Sequence, residues 1–190
     1  AVAAARFGCA ATWLSKLPDS PLGRRVTADL RSHGVDPAVA WDDSASARLG
    51  TYYFEHGGDP RGSDVIYDRE GASVTTATPS ELPVGAIEGA DLFYTSGITP
   101  ALSSTLADTT AALLTAAQGA GATTAFDLNY RSKLWSPEAA RAAYTSLFPH
   151  VDTLVAAERD VRTCLDREGD AVEIANGLLH EYDFRTVVLT

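Results

Sequence analysis

Asp127, Asn129 and Arg131 stand at alternate positions directly after the apolar pair Ala125-Phe126. A buried strand that runs out into polar side chains delivers them to its carboxyl end, where open α/β sheets bind ligands. The Arg131 guanidinium there offers a planar two-point fork that matches a carboxylate or a phosphoryl group. The chemistry these residues suit is recognition of a small anionic substrate. Asp127 and Asn129 serve equally well to order the loop. A helix follows at once, with Ser136 as N-cap and Pro137 at its first position.

A second group lies upstream. Two alternating runs, 49–56 and 63–69, flank Gly57-Gly-Asp-Pro-Arg-Gly62, the pattern of a β-hairpin with a longer loop. Pairing Ser63 with His56 puts Tyr67 opposite Tyr52 and Arg69 opposite Gly50. The period of two then sets Tyr52, Tyr67 and Arg69 on one face. Two phenols and a guanidinium make a cover for a polar ligand; a solvated ribbon with ordinary cross-strand aromatics has the same pattern. A slip of one residue would turn Tyr67 and Arg69 to the other face. Tyr53, on that other face, reads as packing or a dimer contact. The four histidines, 33, 56, 150 and 180, are scattered and mark neither a metal site nor a nucleophilic dyad.

The elements that must position these residues follow an α/β rhythm. The chain opens on the last turns of a helix (1–7) capped by Gly8, then a strand (11–15). A helix follows, capped by Asp19 or Ser20, with Pro21 first and Leu22, Val26 and Leu30 as its expected buried stripe; Gly34 ends it. Helical periodicity is lost between 39 and 78. After Glu81 strands are expected at 91–95, 123–128, 151–156 and 186–189. Helices are expected at 102–119, 137–147, 157–165 and 171–180, and Ser96-Gly-Ile-Thr-Pro100 reads as a loop. Strand followed by helix, repeated, means a parallel sheet covered on both faces. A chain that starts inside a helix and stops on a strand reads as an internal piece of a longer protein.

Composition narrows the partners. A chain of 190 residues buries roughly 70% of its unfolded surface and needs no staples. Its 45% hydrophobic content suits a globular core. Net charge is −10, with 13 Arg against 2 Lys and 16 Asp against 9 Glu. Acidic, Lys-poor surfaces stay hydrated in concentrated salt, where screening removes their self-repulsion, so a halophilic source is expected. No basic patch exists to release counterions, which excludes nucleic acid as an expected partner. The Ala-rich opening lacks the basic start of a signal peptide, and no run is apolar enough for a membrane. Cys9 and Cys164 are expected as buried free thiols of a reducing cytoplasm.

The order of Leu49-Gly-Thr-Tyr-Tyr-Phe54, Val65-Ile-Tyr-Asp-Arg69, Ser96-Gly-Ile-Thr-Pro-Ala-Leu102 and Phe126-Asp-Leu-Asn-Tyr-Arg131 with Leu134-Trp-Ser-Pro137 resembles the PfkB (ribokinase-like) family of carbohydrate kinases. Within the family it is most similar to the branch acting on 2-keto-3-deoxygluconate. The resemblance implies a three-layer α/β/α sandwich with a mostly parallel sheet plus a small β-sheet lid. Residues 1–38 and 79–190 would form the core and 39–78 the lid, which in this family is often the homo-oligomer interface. It implies ATP-dependent phosphorylation of 2-keto-3-deoxygluconate, or of its galactonate epimer, with Mg2+, in the cytoplasm. Another PfkB sugar or nucleoside kinase and a non-catalytic sugar-acid binding module are the alternatives.

By resemblance, Tyr52, Tyr67 and Arg69 contact the sugar acid, Ile98 and Asn129 line the substrate site, and Arg131 stabilises charge between substrate and transferred phosphoryl. The family's Gly-Gly substrate segment and its Gly-Ala-Gly-Asp, whose Asp is the general base, do not occur in these 190 residues. The 190 residues alone are therefore expected to be inactive. The family's Asn-x-x-Glu, linked to magnesium and phosphate, here reads Ala157-Glu-Arg-Asp160, which leaves Asp160 as a cofactor-binding candidate and the metal ligands unknown.

Overall fold

A short helix α1 (Val2–Arg6) leads through Gly8, left-handed at φ +86°, to strand β1 (Ala11–Pro18) in a computed structural model that describes residues 1–190. Helix α2 (Pro21–Ser32) starts where Pro21 fixes the first φ and the Ser20 hydroxyl accepts from Gly23 N at 3.3 Å. Gly34, at φ +78°, ends the turn after it.

The expected stripe of α2 is not the buried one. Leu22 is 62% exposed, Val26 and Leu30 are only half-buried, and Gly23 and Thr27 face inward. A Cβ on Gly23 would lie 2.1 Å from the Pro18 carbonyl oxygen. The helix therefore crosses the end of β1 too closely for any other residue, and that contact sets its rotation.

Strand β2 (Val35–Asp42) runs parallel to β1, from Ala11 opposite Val35 to Pro18 opposite Asp42. No strand was expected here from the sequence, because Pro37 interrupts the run; each strand of this two-stranded sheet has one unpaired edge, where a missing N–H is tolerated. Strands β3 (Thr51–Glu55) and β4 (Asp64–Asp68) form the antiparallel hairpin, with Tyr52 opposite Tyr67 as the alternation required. A 3-10 turn (Ser73–Thr76) follows. Lys16, only 8% exposed on β1, donates to Thr76 Oγ1 at 3.1 Å and pairs with Glu81 at 2.8 Å. These residues belong to one compact unit, Ala1–Pro83.

The second unit, Val84–Thr190, holds strands β5 (Leu92–Ser96), β6 (Thr123–Asp127), β7 (Thr153–Ala156) and β8 (Thr186–Leu189). They are all parallel and lie side by side in chain order. Between β5 and β6 run α3 (Ile98–Ala101) and α4 (Ser104–Gly119); the expected loop after β5 is thus one helical turn. Helix α5 (Pro137–Leu147) joins β6 to β7, capped by Ser136 as expected. Helices α6 (Glu158–Leu165) and α7 (Ala171–Tyr182), the latter opened by an Asp170/Glu173 capping box, join β7 to β8.

Phe126, Leu128, Leu154, Tyr144, Phe148 and Leu178 are among the residues that fill the core of this unit. Cys164 lies in that core, where burial pushes its thiol up to about 11, and Cys9 is exposed, against expectation. Cys9 lies in the Gly8 turn, whose backbone carries it away from packing. No helix is long and apolar enough to cross a membrane.

Candidate functional site

In the first unit the hairpin assembles three of the candidate residues. Cross-strand pairing brings the Tyr52 and Tyr67 rings to 6.3 Å between centroids. Arg69 extends the same face, and its guanidinium lies 4.2 Å from the centre of the Tyr67 ring, a cation–π contact. No acidic side chain of the chain pairs with it. The fork is therefore preoriented by a neutral ring and keeps its donors for an incoming acceptor. Both faces of the ribbon are largely exposed, Tyr53 and Ile66 on one and Tyr52, Phe54 and Tyr67 on the other. At the ribbon's tip His56 stacks edge-on against Phe54 at 4.5 Å.

In the second unit the carboxyl ends of β5 and β6 carry the others. Asp127 is the organising residue. Its Oδ1 accepts from Asn129 N at 3.1 Å, and its Oδ2 accepts from the Tyr94 hydroxyl at 3.1 Å. Burial first, then the Asp127 charge, pushes the Tyr94 phenol up to about 12, so it stays a donor at neutral pH. Asn129 takes a left-handed backbone, φ +38°, which Asn tolerates through such local bonds.

Tyr130 N donates to Asp160 Oδ2 at 3.2 Å and its hydroxyl to the Trp135 carbonyl at 3.1 Å. Arg131 leaves this anchored loop exposed, with Nη1 only 3.4 Å from the Tyr130 carbonyl. Ile98 opens α3 and is half-buried. Gly97, just before it, is pinned by backbone: its N donates to the Asp127 carbonyl at 2.8 Å, and a Cβ there would meet Leu128 O at 2.2 Å and Tyr144 Oη at 2.6 Å.

The structure thus brings Tyr52, Tyr67 and Arg69 together in one unit and, in the other, Asn129 and Arg131 onto one loop to which Asp160 of α6 is bonded. Asp160 is 6% exposed, and its oxygens face Tyr130 N and, at 3.4 Å, Arg159 Nε. It holds the Arg131 loop. No group of three or more His, Cys, Asp or Glu side chains converges to hold a metal ion.

Sequence reasoning missed Tyr94 and Arg48. The Tyr94 position on β5 level with Ala125 was readable from the parallel rhythm, but not the reach of its hydroxyl to Asp127. Arg48 pairs with the Asp68 carboxylate and also donates to the Asp68 and Glu70 backbone carbonyls, and backbone acceptors leave no signal in side-chain types.

A family model described as pfkB family carbohydrate kinase matches residues 1–190. Over 190 residues the chain is 64% identical to a 2-dehydro-3-deoxygalactonokinase of Haloferax volcanii, covering 100% of this chain and 59% of that protein. Over 137 residues it is 31% identical to a 2-dehydro-3-deoxygluconokinase of Bacillus subtilis, covering 71% of this chain and 41% of that one. The crystal structure of a 2-dehydro-3-deoxygluconokinase from Thermotoga maritima superposes with a TM-score of 0.86 at 32% identity, over 95% of this chain and 56% of that one. The chain therefore spans between two fifths and three fifths of the length of these relatives.

Proposed function

We propose, since the chain belongs to the pfkB family of carbohydrate kinases and has the ribokinase-like α/β fold of the Thermotoga enzyme, that the polypeptide carrying it phosphorylates a 2-keto-3-deoxy sugar acid. The substrate is 2-keto-3-deoxygalactonate or its gluconate epimer, and the product bears the phosphate on the terminal hydroxyl. The observation that carries this reading is the Arg69 fork stacked 4.2 Å over Tyr67 with Tyr52 beside it. A carboxylate needs a charged fork, and a polyol chain needs phenolic partners.

Kinases of this family use ATP and a divalent metal. ATP supplies the phosphoryl group, and the ion neutralises charge on the phosphate oxygens. Of the carboxylates around this loop, Asp160 is already engaged by Tyr130 N and Arg159, Asp127 by Asn129 N and the Tyr94 hydroxyl, and no third acidic, His or Cys side chain converges on them. The chain's own residues therefore do not fit a magnesium site, and Asp160 is assigned to ordering the loop.

Arg69 binds the substrate carboxylate, Tyr52 and Tyr67 bind its hydroxyls, and Ile98 and Asn129 line the site. Arg131 meets the charge that develops on the transferring phosphoryl group. The terminal hydroxyl oxygen bonds to the γ-phosphorus as the bond to the bridging oxygen breaks. The hydroxyl proton must pass to a base, the role that the family resemblance gives to the aspartate of a Gly-Ala-Gly-Asp, which these 190 residues do not contain. Residues 39–78 serve as a β-lid, whose Tyr53 face joins a second copy. The acidic, Lys-poor surface suits cytoplasm of high salt content.

The test is steady-state kinetics, with ATP, of the longest encoded polypeptide that carries these residues. Both epimers are expected to turn over. Arg69→Ala is expected to raise the KM for the acid by about 100-fold, the loss of a charge-assisted two-point contact. The KM for a neutral ketose is expected to stay within about threefold. Equal effects on acid and neutral sugar would assign the protein to another sugar-kinase specificity.

A further inference from the structure

Arg69 sits at the end of an exposed ribbon, yet its backbone is gripped on both sides. Arg48, just before β3, donates from Nη1 to the Glu70 carbonyl at 2.8 Å and from Nη2 to the Asp68 carbonyl at 3.4 Å. Its Nη2 also pairs with Asp68 Oδ1 at 2.6 Å. The two carbonyls belong to the residues immediately before and after Arg69. A single guanidinium therefore holds the peptide unit before Arg69 and the one after Glu70, and so brackets the stretch of backbone from which the Arg69 side chain departs.

Arg48 is itself tied down. Its N donates to Ser73 Oγ at 3.2 Å, its carbonyl accepts from Ser73 N at 2.9 Å, and Ser73 is buried. The far side of Arg69 is set by an absence. Gly50 stands opposite, and a Cβ there would come within 3.1 Å of Arg69 Cβ and 3.3 Å of Ala72 Cβ. Arg69 lies in the space that a side chain at 50 would take.

We propose that Arg48, helped by the bare backbone of Gly50, is a positioning residue that holds Arg69 over Tyr67 in the orientation that receives a substrate carboxylate. This rests on the assignment of Arg69 to that carboxylate. A fork held in place loses little side-chain entropy on binding, so the device acts on substrate affinity rather than on the chemical step. Arginine suits the task and lysine does not, because only a planar fork reaches two carbonyls and a carboxylate at once.

A double-mutant cycle between Arg48 and Arg69 in the intact polypeptide, read by KM, kcat and the calorimetric Kd of the sugar acid, tests the role. Arg48→Ala is expected to raise KM and Kd about tenfold with kcat within about twofold. In the Arg69→Ala background the same change is expected to add less than about twofold, because the group it positions is gone. Arg48→Lys keeps the Asp68 pair and loses the span, so it is expected to fall between wild type and Arg48→Ala. It also carries the cycle should Arg48→Ala not fold.

If Arg48 variants weaken the acid by the same factor with and without Arg69, or leave KM unchanged while Arg69→Ala raises it, Arg48 is only a structural clamp. If Arg69→Ala itself leaves acid affinity unchanged, the carboxylate assignment falls and the positioning role with it.

Discussion

The hairpin and the four-stranded sheet present chemistry in opposite ways. Every residue of β3 is exposed, and the candidate side chains of the ribbon are held by one another, ring on ring and guanidinium on ring. On β6 the central residues are buried, and the polar groups that follow are placed by backbone. Tyr130 N is fixed on Asp160, Asn129 N on Asp127, and the Leu128 carbonyl on the Tyr144 hydroxyl at 2.9 Å. In the sheet, geometry is inherited from the core, so a change that disturbs the site also disturbs folding. In the ribbon the two separate: side chains can be altered for binding with little consequence for stability. Under the proposed function the ribbon, as a cover over a ligand, would use that freedom, and the Arg131 loop, facing a phosphoryl group, would use the rigidity.

The largest expected effect lies on the sheet side. Gly97→Ala forces a methyl group to within 2.2 Å of Leu128 O and 2.6 Å of Tyr144 Oη. Neither neighbour can yield cheaply, since one is backbone and the other is the buried partner of that backbone. The substitution is expected to destabilise the fold by about 4 kcal/mol, in the range of severe overpacking. Urea unfolding of the purified variant checks it. A loss below about 1 kcal/mol would mean that the β5–α3 junction adjusts as freely as the ribbon, and the contrast between the two regions would fail.

The same contrast explains what the sequence disclosed. The hairpin register was legible because Tyr52, Tyr67 and Arg69 alternate with residues of the other face, and a ribbon obeys the period of two without interference from a core. The βα rhythm was legible from caps: Ser20-Pro21 and Ser136-Pro137 begin helices where expected.

Contacts with backbone were not legible. The Gly23 approach to the Pro18 carbonyl, which turns Leu22 outward, depends on an atom that every residue possesses. The Arg48 grip on the residues beside Arg69 was hidden for the same reason. Pro37 concealed β2, and Gly97-Ile-Thr-Pro100 concealed a helical turn, because both carry residues that ordinarily punctuate structure. Within the proposed site, the residue types suited to an anion could be named from the sequence, and the groups that hold them in place could not.

A smaller effect is expected at the root of the first unit, where the buried Lys16 meets Glu81. The Lys16 hydrogen bond, with those from Thr78 N and Thr78 Oγ1, holds the Glu81 carboxyl below its ordinary range. A depressed carboxylate contributes stability that is fully present above its unfolded value, about 4.5, and is lost as pH falls through the lower folded value. Glu81 is 43% exposed, so water screens the pair and the contribution is about 1 kcal/mol rather than the 3–5 of a fully buried one. Glu81→Gln is expected to lower stability by that amount near neutral pH. It should also flatten the fall in stability below pH 4.5. Denaturation followed across that window checks both. An unchanged acid slope would show that the Glu81 carboxyl titrates alike in the folded and unfolded chain, so that its partners do not hold it down.

The smallest expected effect separates the two faces of one strand. Tyr52 and Tyr53 are adjacent on β3, 66% and 63% exposed, and point to opposite sides of the ribbon. Tyr52→Phe and Tyr53→Phe each remove one hydroxyl from an exposed ring, so each is expected to shift unfolding by less than about 0.5 kcal/mol. Only Tyr52 shares its face with Tyr67 and Arg69. Tyr52→Phe is therefore expected to raise the KM for the sugar acid by about fivefold, the loss of one hydrogen bond, and Tyr53→Phe to leave it alone. Kinetics of the two variants side by side, with thermal unfolding as the control, tests the division of the ribbon. Equal KM effects would mean that the period of two does not partition substrate contact between the faces. An unfolding shift above about 1 kcal/mol in either would mean that the ribbon's side chains carry more of the fold's stability than their exposure implies.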